Sequence, residues 1–252
     1  MKNKKPIISF VSAAIRDFRY KIYYDSLSAN SQVPFEIIFV GHKPPQEKMP
    51  DNFKYIETLA KPAQCYEIGV RSAVGDYVQL LGDDLTFSVD YLNNLYKYIL
   101  ALDMDKVLIT VRLRQPDGKL AVNKIHTDHG CVFDAYIPDV PFCGCGPVFK
   151  RDLWGKLGGF DRRFNGSLAD MDLQQRFYEY GMNPFLTPEC ILVEHNRVDK
   201  NKKSSLLRRT GKESTAILRS LWFRSDDSCS KHRLKPVLSY SDENILTQSQ
   251  YE

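Results

Sequence analysis

The stretch LLGDDLTF places Asp83 and Asp84 directly behind an apolar run, residues 77–81. Adjacent carboxylates at the end of a buried strand have two uses. They shape a turn, which aspartate does readily, or they present oxygens to a ligand beyond the strand. A second acidic pair, Asp170 and Asp172, stands in ADMDLQQRF, where Leu173, Phe177 and Tyr180 recur at i, i+4 and i+7 and give a helix one apolar face. Acids in a first helical turn meet free N–H groups and the positive end of the macrodipole; one within reach of a bound hydroxyl can also remove its proton. His126 and His129, in HTDHG, have a metal-like spacing but no third ligand nearby, and read as solvated loop residues. Of the cysteines (Cys65, Cys131, Cys143, Cys145, Cys190 and Cys229) none forms a CxxC pair, so they read as mostly reduced thiols rather than a zinc site.

The elements that must position these groups alternate along the first half. Residues 7–11 (IISFV) predict a strand, 16–27 a helix carrying Ile22, Tyr23 and Leu27, and 35–40 (FEIIFV) a second strand. A polar, Pro-rich loop follows, then a short strand at Tyr55 and Ile56 and a helix over about 63–74 that Gly75 and Asp76 close. The strand 77–81, a helix over 89–102 and a strand over 106–111 complete a half of Rossmann-like character. Strands apolar throughout, alternating with helices, predict an α/β fold with a mostly parallel central sheet covered on both faces. In such sheets ligands bind beyond the carboxyl ends of the strands, where Asp83 and Asp84 stand. No GxGxxG or GxxxxGK[ST] follows the first strand, which removes support for dinucleotide and P-loop sites. The second half is less regular: PDVPFCGCGPVF, a short helix over 151–157, the ADMDLQQRF helix and a strand over 190–193.

Taken in order and spacing, ISFVSAAIRD, FEIIFV, AVGDYVQLLGDD, GPVFKRDLWGKLGGFDRRF, ADMDLQQRFYEYG and VEHNR resemble the GT-A glycosyltransferases of family 2, over residues 6–200. The resemblance implies a nucleotide-sugar donor, a divalent metal (Mn²⁺ or Mg²⁺) and transfer of the sugar with inversion to an acceptor hydroxyl, as in polysaccharide or glycan synthesis. Asp83 and Asp84 match the DxD motif, with Asp84 at the metal position and Asp83 nearer the ribose or sugar. A hard cation takes carboxylate and phosphate oxygens together, and offsets the charge of both. Gly82 replaces the first acid that many relatives carry. Asp170 matches the family's base, whereas Ala169 occupies the position of the usual preceding Glu, and Asp172 reads as a cap. His195 matches a late histidine that reaches the metal in many relatives, since neutral imidazole suits Mn²⁺. By the same resemblance Ser12, Ala13, Ala14 and Arg16, with Gly41 and His42, line the base and ribose pocket, and Arg71 lies near the donor. Gly41-His42 lacks the family's usual Asp, which leaves the base open with a UDP-sugar favoured. Gly144, Cys145 and Gly146 match the acceptor-side loop, while Phe160 reads as core.

The boundaries expected are a GT-A domain over 1–200, divided into a nucleotide-sugar half (1–111) and an acceptor-side half (112–200), followed by a basic helical tail over 201–252. Residues 197–235 hold 12 Lys/Arg against 4 Asp/Glu, a local excess of +8 in a chain of net charge +4. Within the tail, Leu206, Leu207, Ile217, Leu218, Leu221, Trp222 and Phe223 lie beside Arg208, Arg209 and Arg219. An interfacial helix on anionic lipid, a partner-docking helix and a solvated end all suit that composition. No nucleic-acid partner is expected, because the charge carries no recognised binding motif. No run approaches a membrane span, and Pro6 with Ser9 makes the N-terminal apolar run a buried strand rather than a leader. The expected location is the cytoplasm, with the inner face of the membrane as the place any lipid contact would occur. Gly82, Ala169 and Gly41 at usually acidic positions keep a second reading open, a non-catalytic sugar-nucleotide or glycan-binding relative.

Overall fold

The computed structural model describes residues 4–114, 116, 118, 146–164, 166, 168–195, 205–226, 230, 232–242 and 245; in the last helix, side chains are described from Lys212 onward. His126, His129, Gly144, Cys145 and four of the cysteines (Cys131, Cys143, Cys145, Cys229) lie outside them. Cys65 and Cys190 are buried free thiols.

The strands are β1 (Ile8–Ala13), β2 (Phe35–Gly41), β3 (Phe53–Glu57), β4 (Tyr77–Leu80), β5 (Leu85–Phe87), β6 (Val107–Arg114), β7 (Val148–Lys150) and β8 (Asn183–Glu194). They form one sheet in the order β3-β2-β1-β4-β7-β6-β8-β5. The first half behaves as an α/β unit should: β3, β2, β1 and β4 are parallel, and apolar side chains fill both faces of β1 and β2. The second half departs from a mostly parallel sheet. β7 runs antiparallel between β4 and β6, and β5 runs antiparallel to β8, so the sheet is mixed. Both unexpected strands are three residues long, too short for a periodicity to declare them.

Helices cover both faces. α1 (Tyr20–Ser28) and α3 (Tyr91–Ala101) pack on one through Tyr20, Tyr23, Leu27, Leu92, Leu95 and Ile99, against Phe10, Phe39 and Ile109. α2 (Pro62–Ser72), α4 (Arg151–Leu157), α5 (Ala169–Glu179) and α6 (Ser205–Trp222) share the opposite core with Val11, Val40, Leu80 and Phe149. The predicted helix 16–27 divides into a single 3₁₀ turn, Asp17–Arg19, followed by α1, and Ile22 is exposed. α2 ends earlier than predicted, with Ala73 at its C-cap. Gly75 serves packing instead: a Cβ there would stand 2.6 Å from Ser9 Oγ. Gly158 and Gly159, at φ of 80° and 66°, form the tight turn after α4, and Phe160 is core as expected.

The basic stretch is built into this core. Leu218, Leu221 and Trp222 are buried beside Phe149, Phe177 and Trp154, as are Tyr240 and Ile245. By composition these apolar residues suit an interfacial helix, but the protein interior occupies them instead. No helix among the described residues is long and apolar enough to cross a membrane. Arg71 is likewise committed here: it binds Glu67 at 2.9 Å, Asp242 at 2.5 Å and the Tyr240 carbonyl. It staples residues 240–242 to α2.

Asp172, read as a helix cap, is fully buried and holds an ion network. It accepts from Arg176 Nε at 3.0 Å, Arg233 Nε at 3.0 Å and Trp222 Nε1 at 2.9 Å. Asp161, beside it, accepts from Arg163 Nη2 and Arg233 Nη2, each at 2.6 Å. Burial alone would raise the Asp161 carboxyl, but these donors and the N–H groups of Arg163 and Leu238 outweigh it and hold the group down at about 2. A carboxylate depressed on folding adds stability above its unfolded pKa, and loses it as pH falls through the folded value. Stability is therefore expected to drop by about 2 kcal/mol between roughly pH 4 and pH 2 on account of this group. Urea midpoints at pH 5 and pH 2.5 check this: Asp161→Asn should lose most of that difference, and a difference unchanged by the substitution contradicts it.

Candidate functional site

The acidic pair forms the turn between β4 and β5, at the carboxyl end of β4. Its two members do different things. Asp83 is only 1% exposed and its carboxylate is fully engaged. One oxygen accepts the backbone N–H of Ile15 at 2.6 Å and of Arg16 at 2.7 Å, and the other takes Arg16 Nη1. Asp83 therefore clips the loop after β1 onto the end of β4, and positions that loop rather than offering free oxygens. Asp84 keeps 17% of its side chain exposed, with Arg16 Nη2 at 3.4 Å. Burial raises its carboxyl, Arg16 opposes that, and Asp83 adds to the rise. Gly82 lies close to this carboxylate: a Cβ there would stand 2.8 Å from Asp84 Oδ1, so a larger residue would need that side chain to move.

The ends of β1 and β2 meet just beside this turn. Ser12 and Ala14 are buried, Ala13 is partly so, and the Ala14 N–H donates to the Val40 carbonyl at 2.8 Å. A Cβ on Gly41 would stand 1.9 Å from the Ala14 carbonyl oxygen, so no aspartate fits at that position. The Gly41 carbonyl is occupied by the Tyr55 hydroxyl at 2.7 Å and the Thr58 N–H at 2.8 Å, and His42 follows at the strand end.

His195 closes β8 against the same turn. Its backbone N–H donates to the Asp84 carbonyl at 3.1 Å, and its Nε2 lies 2.6 Å from Thr86 Oγ1. Burial and the positive charge of Arg19 lower its imidazole below the usual range, against the pull of Asp84. In the neutral tautomer whose Nε2–H donates to Thr86 Oγ1, Nδ1 carries the lone pair; in the other, Nε2 accepts the Thr86 hydroxyl and Nδ1 carries the proton.

Asp170 reaches the site from α5. Leu168 before it adopts φ 63°, the left-handed turn that launches the helix, and Ala169 is buried. Among the described residues, the Asp170 carboxylate accepts the N–H of Met171, at 3.0 Å. It is solvent-accessible yet ringed by protein, and desolvation raises its carboxyl above the ordinary range.

Tyr66, on α2, stands between the end of β4 and Phe160, whose ring centroid is 5.9 Å from its own, and has no counterpart among the residues expected from sequence. Its hydroxyl donates to the Leu81 carbonyl at 2.8 Å. Burial raises its phenol, and the charges of Asp83, Asp170 and Asp84 each raise it further. One side chain thus lies within electrostatic reach of every acid proposed for the site. Arg19 is a second such residue: its charge reaches Asp84 and His195, and its Nε is buried without a partner among the described residues. Neither has a sequence signal, because an aromatic on a helix face and an arginine in a short helical turn are common. Gly146 sits behind β4, with its carbonyl accepting Gln79 Nε2 at 3.0 Å.

The donor set bears on metal binding. Among the described residues no three His, Cys, Asp or Glu converge. Asp84, with His195 hydrogen-bonded to its backbone, fits a cation that draws its other oxygens from a bound diphosphate and water, as Mg²⁺ commonly does, rather than an all-protein cage.

Fold and site together define an α/β chain with Asp83, Asp84, Arg16 and His195 gathered at the strand ends, and with Tyr66 of α2 within electrostatic reach of Asp83, Asp84 and Asp170. No protein-family model matches the sequence, and no curated protein does. Solved structures of S. aureus TarS residues 1–349 share the fold. The complex with UDP-GlcNAc superimposes with a TM-score of 0.54 at 12% identity over 77% of this chain, and the UDP complex with 0.53 at 10% identity over 74%. The chain spans 60% of the length of those structures.

Proposed function

We propose that the chain is a nucleotide-sugar-dependent glycosyltransferase of the inverting GT-A family 2 type. The gathering of Asp83, Asp84, Arg16 and His195 at the end of β4 carries this reading, and Asp83, Asp170 and Asp84 all act electrostatically on Tyr66. A fold shared with a protein crystallised with UDP-GlcNAc supports it. A UDP-sugar is the first donor to test. Ser12, Ala13, Ala14, Arg16, Gly41 and His42 line the nucleoside side of the cleft. Gly144, Cys145, Gly146 and Ala169 belong to the acceptor side, and the acceptor is the hydroxyl of a glycan.

Arg16, pinned by Asp83, and Arg19, with an unused Nε, supply positive charge for the donor diphosphate. Asp84, assisted by His195, holds Mn²⁺ or Mg²⁺, which when bound neutralises charge on the leaving diphosphate. Asp170 accepts the proton of the acceptor hydroxyl as its oxygen attacks the anomeric carbon. Its raised carboxyl makes it a better base near neutral pH than an ordinary aspartate.

Thermal-shift titration of the full chain with UDP-, GDP-, dTDP- and CMP-sugars, with and without Mn²⁺, tests the donor assignment. One sugar nucleotide, UDP-GlcNAc first, should raise Tm in a Mn²⁺-dependent way. Asp84→Ala should weaken that binding by tenfold or more and remove the metal dependence. No shift with any donor overturns the proposal, whereas binding indifferent to both EDTA and Asp84→Ala identifies a non-catalytic relative.

A further inference from the structure

A cleft of about 490 Å³ lies on the other side of α5, between α4, α5 and residues 233–237. Asp170 and Arg176 are six residues apart on one helix, about 9 Å along its axis and about 120° around it. The cleft is therefore separate from the acidic site, and its chemistry does not depend on glycosyl transfer. Four basic residues border it, Lys156, Arg176, Arg233 and Lys235, against the single acid Glu179, with Tyr180 at the rim.

Its floor carries an unbalanced charge. Three guanidiniums, Arg163, Arg176 and Arg233, are paired with two buried carboxylates, Asp161 and Asp172. The side chains of Arg176 and Arg233 are only 4% and 5% exposed. All three nitrogens of Arg233 are engaged, by Asp172, Asp161 and the Lys235 carbonyl. Arg176 is not so complete. Its Nε binds Asp172 and its Nη1 the Leu157 carbonyl at 2.7 Å, but its Nη2 has no partner among the described residues. A buried charged donor with nothing to bind destabilises the protein unless an acceptor reaches it.

At the rim, Glu179 is occupied by the Arg233 N–H at 3.1 Å and lies 3.5 Å from His232. Lys156 has only an exposed i,i+4 pairing with Asp152 at 3.1 Å, the weakest kind of ion pair. Lys235 makes no ion pair among the described residues. The cleft is thus lined by a guanidinium whose buried Nη2 has no partner among the described residues, with ammonium groups at its mouth. A tetrahedral dianion, with several oxygens to share, satisfies both at once.

We infer that this cleft binds a phosphoryl-type oxyanion, bridging α4, α5 and the Arg233–Val237 segment. The probe is inorganic phosphate, titrated into the full chain at constant ionic strength against chloride and followed by thermal shift and ³¹P line broadening. Phosphate should give a saturable rise in Tm, and Lys156→Ala with Lys235→Ala should weaken binding at least tenfold while circular dichroism stays unchanged. Arg176→Lys should abolish it; if that variant fails to fold, the rim double variant remains decisive. Glycerol phosphate and vesicles containing phosphatidic acid then separate a soluble phosphate ester from a lipid headgroup, whichever binds in a rim-dependent way. A shift that does not saturate, matches chloride, or survives the double variant undiminished overturns the inference.

Discussion

Asp170→Asn is expected to lower the rate of sugar transfer by roughly 10²–10⁴-fold, the usual range for losing a positioned general base. Donor affinity should hold, because nothing in the arrangement gives Asp170 a hydrogen bond to the groups that clip the β1 loop. Among the described residues its carboxylate accepts the neighbouring Met171 N–H, so the amide substitutes without disturbing the start of α5. The pH profile provides the sharper check. A base works when deprotonated, and desolvation raises this carboxyl above the ordinary aspartate value. Wild-type transfer should accordingly fall as pH drops through that raised value, on a limb displaced upward from where an ordinary aspartate would put it. The residual activity of the asparagine variant should lack the limb. Full transfer by Asp170→Asn on an identified acceptor would remove the residue from the mechanism.

The largest stability effect is expected two residues further on. Asp172→Asn preserves shape but leaves Arg176 and Arg233 facing each other without the carboxylate that both bind at 3.0 Å. Removing one partner from a buried ion network typically costs about 3–5 kcal/mol. In a domain of this size that is a fall in Tm of roughly 10 °C. Burial already holds the Arg176 guanidinium below its ordinary range despite Asp172, so it has little tolerance for a lost counter-charge. Urea unfolding of Asp172→Asn beside Asp170→Asn distinguishes the two roles. The first should be destabilised and the second close to wild type. A change within about 0.5 kcal/mol for Asp172→Asn, the range of ordinary surface substitutions, would contradict the network's importance.

Local chemistry is legible in the sequence and distant partnership is not. β1 and β2 can be read because strands buried on both faces are mostly apolar along their length, here interrupted only by Ser9, Ser12 and Glu36, and α4 because Gly158 stops it where its apolar pattern ends. β5 and β7 cannot. Val148 pairs with Gln79 and Ile109, residues far away in the chain, and three-residue strands exist only through such pairings. The same holds at the site. That Asp83 and Asp84 end a strand is plain from their neighbours, but their division of labour depends on Arg16, 67 residues from Asp83. Asp172 looks like a cap because its main partner, Arg233, is 61 positions away. Composition sets a boundary near residue 200, while packing carries Leu218, Trp222 and Tyr240 across it into the core beside Val11.

The Arg233 crosslink also bears on how the molecule is made. Synthesis runs from the N-terminus, and Arg233 follows Asp161 by 72 positions. While the nascent polypeptide is still growing, Asp161 and Asp172 have only Arg163 and Arg176 to neutralise them, and the surface that Trp222 later covers is bare. Ribosome-bound intermediates halted before Arg233 should therefore be the species that chaperones hold.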